Sequence, residues 1–544
     1  MRQQNQFNQP GGAGASPVQN PWLVLAVLCL AVFMLLLDTT VVNVAQVKIK
    51  DDLGASLTQI QWILDAYILA FAVLLLSFGR LGDVFGRKKL FMVGMSIFTG
   101  ASLLCGASGF IGDQLNVSGV NVLIAARVLQ GIGGAFMMPQ SLSLLTVTFP
   151  PEKRGAALGY WGSVVALGAI LGPIFGGLIV THFAWEWIFL INLPVGIVAL
   201  LLTIRIVPES VDPLASGKVD WGGLVFSGSG IFALVFACIE GNRLGWASPG
   251  ILGTLALSAV LLVVFVWWER RSLDPMIKLE LFKIRNFTVG NMLATIIAFG
   301  MLGIFFPMTL FLQQALDYSP IKAGLSMTPM SVMIMVTAPL AGRFTDRIGP
   351  RWILFAGTSL MTIGILLIRA AVSMDTTPLS LAPSMMLTGL GMGMTFSPMT
   401  AAAMHDVPQR IAGSASGILN TMRNIGQVLG IAILGSYLQN RIGYFTAEEL
   451  AISAVEPGSV EQVAELASQN QFAEIMAMIP SDSAADVMRL LSEAFVSAIH
   501  STFLVAAIAC SFGAVAALML RNPKLREVTV EHKVAERRDP VTVE

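Results

Sequence analysis

The chain has 544 residues, of which 55% are hydrophobic and only 12% charged, with a mean hydropathy of +0.75. Soluble domains carry roughly a quarter charged residues, so one water-soluble core of this length is excluded. The 33 acids balance the 33 bases, so net charge says little about partners; no nucleic acid is expected, and what matters is where the bases fall.

Residues 1–20 are polar, lack a cleavable signal pattern and read as a disordered tail. Apolar runs of about 20 residues match the thickness of a bilayer. Fourteen are expected, at 22–44, 61–79, 90–108, 120–146, 156–180, 186–206, 219–239, 250–268, 286–313, 321–342, 352–372, 379–404, 412–437 and 498–520. The first holds Asp38, in AVFMLLLDTTVVNV, with no basic neighbour in sequence. A carboxylate in hydrocarbon must face the interior, pair or be protonated. Asp38 therefore fits an exchange site that holds either a proton or a cationic substrate; the alternative is a permanent place in a helix-packing network. Asp65, one turn inside the second run beside Trp62 and Tyr67, either attracts cations at an outer vestibule or reaches for water.

Residues 79–89, GRLGDVFGRKK, pack four cations and one acid between two apolar runs. Such a cluster is expected as a short turn at a membrane surface, with Gly79, Gly82 and Gly86 permitting tight backbone. Asp83 can accept from helix N-terminal amides and Arg87 can pair with it; the alternative is a solvated turn that only sets orientation. A related stretch, GRFTDRIGPR at 342–351 with Asp346 and Arg347, suggests two related halves.

Further along, Arg127 and Arg423 lie inside runs, Arg423 with Asn424 in a setting expected to be structural. Glycines cluster at 168–177 and 389–393, where small residues let helices approach. Pro173, Pro307, Pro329, Pro339 and Pro398 fall inside runs as kink points. Glu240 is expected at the surface, and His405 with Asp406 in a turn. Cys29, Cys105, Cys238 and Cys510 lie within runs without metal-ligand or disulfide-like spacing and read as core filler.

With fourteen spans, alternate loops and both ends hold 24 of the 33 bases against seven on the other side, which places both termini in the cytoplasm. Residues 438–498 carry nine acids against two bases. Apolar positions at helical spacing in 460–478 and 484–499 suggest a helical hairpin on the outer face. No P-loop, nucleophile elbow or metal-ligand cluster is present, so an enzyme is not expected, and no cofactor beyond a proton gradient.

Together these motifs resemble the major facilitator superfamily, in its fourteen-span drug:proton antiporter group of the QacA and EmrB type. GRLGDVFGRKK is similar to the loop motif GxLaDrxGrk, RVLQGIGGA from Arg127 to the fourth-span motif, and GAILGPIFGG at 168–177 to the fifth-span GxxxGPxxGG signature. LDTTVVNVA, QWILDAY, WIFLINLP and GSASGILNTMRNIG also resemble that group. Two departures, Gln46 and Val47 after Ala45 and Glu186 between two tryptophans, bear on substrate entry or exit.

The resemblance implies an all-α polytopic membrane protein of the major facilitator fold. It would comprise a six-helix bundle at 21–206, two inserted spans at 207–285, a second six-helix bundle at 286–520 containing the 438–497 loop, and a cytoplasmic tail at 521–544. It implies a proton-coupled efflux carrier for amphipathic or cationic small molecules, monomeric, in the cytoplasmic membrane. Asp38, Arg127 and Asp65 would serve proton coupling and substrate, with Gln130 and Gly131 shaping the Arg127 face. Gly79, Gly82, Asp83, Gly86, Arg87, Lys88, Asp346 and Arg347 would gate, and Gly168, Gly172, Pro173, Gly176 and Gly177 would form the antiporter motif and its bend. The alternatives are a dedicated exporter of one natural product or envelope lipid, and a non-transporting membrane sensor or scaffold.

Overall fold

A computed structural model describes residues 20–213, 217–272, 274–452, 457–468, 475 and 484–522. Among them the chain is helix and turn with no strand, as expected where hydrocarbon forces each segment to satisfy its own backbone. Helix α1 (Pro21–Leu53) starts at an Asn20 side-chain cap and stops at Gly54, whose φ is 61°. Helix α2 (Leu57–Phe85) opens on a Ser56–Gln59 capping box. A single residue, Gly86 at φ 106°, then turns the chain into α3 (Arg87–Gly106).

The first half continues with α4 (Ser108–Leu115), α5 (Gly119–Thr148), α6 (Pro151–His182), the single turn α7 (Trp187–Leu190) and α8 (Asn192–Ile206). Next come α9 (Trp221–Leu244) and α10 (Pro249–Glu269), then α11 (Arg285–Leu310), α12 (Pro320–Ile348), α13 (Pro350–Ala371) and α14 (Pro378–His405). The last are α15 (Ala412–Ile452), α16 (Pro457–Ser468) and α17 (Ala484–Leu518).

Twelve helices among the described residues are long and apolar enough to cross a membrane, α7 and α8 counting as one. Helices α6 and α15, where the fifth and thirteenth runs fall, are as long but do not belong to the twelve. The first is rich in glycine, and the second carries Asn420, Arg423 and Asn424.

Packing sorts the long helices into two sets. In one, α1 lies on α6 and both α2 and α3 lie on α5; in the other, α11 lies on α15 and α17, and α12 and α13 lie on α14. The sets meet where α6 packs on α12 and α2 on α15. Helix α9 rests on both α2 and α15 and so covers their seam, with α10 on its far side. Helix α10 leaves Leu257, Val260 and Val263 more than half exposed, a surface suited to lipid.

Two expectations change. No loop exists at 79–89, because Gly79 and Gly82 lie inside α2 and only Gly86 takes a positive φ. The first two glycines serve packing: a Cβ at Gly79 would fall 2.6 Å from the Gly413 carbonyl and 2.8 Å from Gly417 Cα. The row 168–177 lies within α6, which is helical from Pro151 to His182. Finally, the ends of the 438–497 loop are extensions of the long helices α15 and α17. Helix α15 continues to Ile452 and α17 begins at Ala484; their residues Leu438, Ile442, Val487 and Leu491 share a buried cluster with Val463 and Ala467 of α16. That shared apolar face explains why the helical spacing continues past the bilayer-length runs. The tails at 1–19 and 523–544, and residues 453–456, 469–474 and 476–483 of the expected hairpin, lie outside the described residues.

Candidate functional site

Asp38 sits mid-way along α1 and is 1% exposed. Its carboxylate accepts from Arg127 Nη1 at 2.6 Å, from Gln130 Nε2 at 2.9 Å and from Asn192 Nδ2 at 2.8 Å. Arg127, equally buried, also donates from Nη1 to Gln130 Oε1 at 2.7 Å and from Nε to the Ile63 carbonyl at 3.1 Å. Its guanidinium lies 4.3 Å from the Tyr67 ring centre. Ser102 Oγ accepts from Gln130 Nε2 at 2.7 Å, and Cys105 Sγ lies 3.5 Å from Gln130 Oε1. Five helices, α1, α2, α3, α5 and α8, thus converge on one buried ion pair whose remaining valences are nearly all filled. The charges can stay in a low-dielectric interior only because they are paired and hydrogen-bonded together.

Helix α6 is clamped to the same stretch of α1. A Cβ at Gly168 would fall 2.8 Å from Leu36 Cβ, one at Gly172 would overlap Thr40, and one at Gly176 would lie 3.2 Å from the Val41 carbonyl. Thr40 Oγ1 donates to the Gly168 carbonyl at 3.3 Å. The glycine row is therefore a docking face for α1 around Asp38. Gly177 is buried beside it, and the side chain of Pro173 lies outside the described residues.

Two carboxylates tie the helix sets together at one end. Asp83, fully buried, accepts from the Gly413 and Ser414 amides at 2.7 Å each and from Ser414 Oγ at 3.0 Å, at the N-terminus of α15. Arg87 pairs with it at 2.7 Å and donates onward to the Gln409 and Arg410 carbonyls at 2.9 Å and to Ser210 Oγ at 2.6 Å. Free amides and the helix dipole make an N-terminus a ready site for an anion. Asp346 on α12 makes a similar tie in the opposite direction, accepting from the Gly155 and Ala156 amides at 2.8 and 2.9 Å, one turn in from the N-terminus of α6. Near the first latch, burial together with Arg410 and Arg80 holds the Lys278 ammonium below its ordinary value.

These features fit what comparison with known proteins finds. Residues 28–431 match the model of the Major Facilitator Superfamily. The chain belongs to the major facilitator superfamily. It is 32% identical to the tetracenomycin C resistance and export protein of Streptomyces glaucescens, over 95% of each chain. It is 33% identical to the multidrug resistance protein Stp of Mycobacterium tuberculosis, over 89% of each. The solved major facilitator structure of the proton:xylose symporter XylE shares the fold with a TM-score of 0.56 at 15% identity, covering 91% of this chain and 95% of that one. This major facilitator protein is a multi-span membrane transporter and not an enzyme.

The other expected residues of this facilitator fall in different places. Lys88 does not join the latch: its Nζ donates to the Ile204 carbonyl at 2.8 Å, while Glu209 caps the Lys88 and Lys89 amides at 3.0 and 3.1 Å. Arg347 is exposed and forms no ion pair among the described residues; the position four residues after Asp346, which Arg87 fills after Asp83, is Pro350. Asp65 is half-buried and within electrostatic reach of Glu240 on α9, and among the described residues it shares no hydrogen bond with the Asp38 network. Glu240, expected at the surface, is buried and pairs with Arg243 at 2.5 Å. Sequence reasoning missed Asn192, Ser102 and Glu209. An asparagine inside an apolar run was the available signal for the first, whereas Glu209 is a surface carboxylate with no sequence mark.

Proposed function

We propose that the chain is a proton-coupled exporter of amphipathic small molecules, built as a fourteen-span monomer with both termini on the cytoplasmic side of the cytoplasmic membrane. The observation that carries this reading is the buried Asp38–Arg127 pair at 2.6 Å, held against the glycine face of α6. The bias of bases toward one side supports the orientation, and relatives named for drug resistance and export support the direction of transport.

In this reading a proton and Arg127 compete for Asp38. Protonation removes the counter-charge and leaves Arg127 to Gln130, the Ile63 carbonyl and the Tyr67 ring, which loosens α1 from α2 and α5. Because α1 is docked on α6, the change passes along α6 to its N-terminus, which holds Asp346. The two helix-terminus latches then open or close the end that carries the bases. Since Arg127 already occupies the carboxylate, Asp38 is the proton site and a cationic substrate is not needed to neutralise it.

The test uses inverted vesicles with an acid interior and records internal pH as candidate compounds are added. Proton release for several unrelated compounds, lost in Asp38→Asn, is expected; a response to one compound alone identifies a dedicated exporter. Release that persists undiminished in Asp38→Asn refutes the coupling site.

A further inference from the structure

The second intramembrane cation, Arg423, has no counter-charge among the described residues. Arg423 projects from α15, nine residues beyond Ser414 of the first latch, which at helical rise sets it about 13 Å deeper, near mid-bilayer. No carboxylate among the described residues pairs with it: its one side-chain hydrogen bond runs from Nη2 to Asn420 Oδ1 at 2.7 Å. Its guanidinium lies 5.9 Å from the ring centre of Trp161, on α6 of the first helix set, and 5.2 Å from that of Phe396, on α14 of the second. Those two rings are nearly parallel, with centroids 6.0 Å apart. Trp161 is 1% exposed, yet its indole Nε1 finds no acceptor among the described residues.

A half-buried guanidinium with one side-chain hydrogen bond among the described residues, beside a buried indole N–H without a partner there, leaves donors free for an acceptor from outside the chain. The acids that could have supplied one are committed elsewhere: Asp38 to Arg127, Asp83 and Asp346 to the latches, Glu240 to Arg243. We propose that Arg423, with Trp161 Nε1 and the Trp161 and Phe396 rings, forms a substrate site for aromatic anions, carboxylates foremost. A carboxylate matches the fork of the guanidinium, and flat rings match the aromatic walls. The site lies between the two helix sets, where it would be exposed alternately to each side. The inference deepens the exporter reading above and rests on it: an exported anion and an imported proton move charge in the same direction, so the membrane potential drives both.

The test takes the full chain in detergent and three probes on one pyrene scaffold: pyrenebutyrate, its neutral methylamide and a pyrene-butyl trimethylammonium salt. Fluorescence anisotropy reads binding. The carboxylate should bind ten- to about a hundredfold tighter than the amide, the span of a charge-assisted hydrogen bond converted to affinity. Arg423→Gln should erase that preference and leave amide binding unchanged; Arg423→Lys should keep part of it; Trp161→Phe, which keeps a ring and removes the donor, should weaken the carboxylate alone. Elution as a single monodisperse peak establishes that each variant is folded. Absent carboxylate binding, equal binding of all three probes, tightest binding of the ammonium, or a preference that survives Arg423→Gln overturns the site. Proton-coupled vesicle uptake separates the two readings. Uptake of the ammonium unaffected by Arg423→Gln sinks the anion site and spares the antiporter, whereas carboxylate binding without proton movement sinks the coupling and spares the site.

Discussion

Replacing Asp38 with asparagine has a calculable structural cost apart from any functional one. The carboxylate takes three donors, from Arg127, Gln130 and Asn192. An amide offers a single oxygen and turns its own NH2 toward groups that also donate, so Arg127 is left buried without its counter-charge. Breaking a buried pair from one side costs about 3–5 kcal/mol, enough to lower yield and confuse a transport assay. The decisive experiment is therefore a double-mutant cycle of Asp38→Asn, Arg127→Gln and the combined variant, followed by unfolding in mixed micelles. The combined, charge-neutral variant should recover most of the loss, giving a coupling of at least about 2 kcal/mol. It should still fail to release protons in acid-loaded vesicles, because no carboxylate remains at the site. If the restored double variant exchanges substrate for protons at the parent rate, Asp38 is a packing residue and the coupling argument falls. If the singles cost nothing, the ion pair itself is refuted.

Further predictions concern the latches, the glycine face and the cap on α3. Asp83→Ala removes three hydrogen bonds across the helix sets and strands Arg87, so it should shift the latched state by about 3 kcal/mol or more, over a hundredfold in population. Asp346→Ala removes two and should shift it about half as far; spin-label distances across the latch end measure both, and equal effects would contradict the geometry. Gly172→Val drives a side chain into Thr40 and should cost about 1–3 kcal/mol together with transport. Gly250→Ala, with nothing within 4 Å, should leave both intact, as drug-resistance growth assays and thermal unfolding will report. Glu209→Gln weakens the cap on the Lys88 and Lys89 amides and should cost about 1 kcal/mol, read in the same unfolding assay without loss of proton release.

The amino-acid sequence was enough to give an all-helical membrane protein, because a hydrocarbon solvent permits few alternatives to apolar helices and punishes charge. For the same reason Asp38, Arg127 and Asp83 stood out as single residues: each is a charge where a charge is expensive. Partners were harder to read. Asp38 and Arg127 lie 89 residues apart, Asp83 and Ser414 331 apart, and no local pattern encodes which helix end meets which carboxylate. The glycines were misread for a related reason, since one residue type serves a tight turn at Gly86 and a helix crossing at Gly79, and only packing separates the two uses. Arg423 shows the same divide: sequence marks an arginine inside a span, but only the arrangement of α6, α14 and α15 around it leaves that cation without an acid among the described residues. Composition and periodicity act through the solvent and along the chain, so they are legible in one dimension; pairing depends on which surfaces meet, which is decided in three.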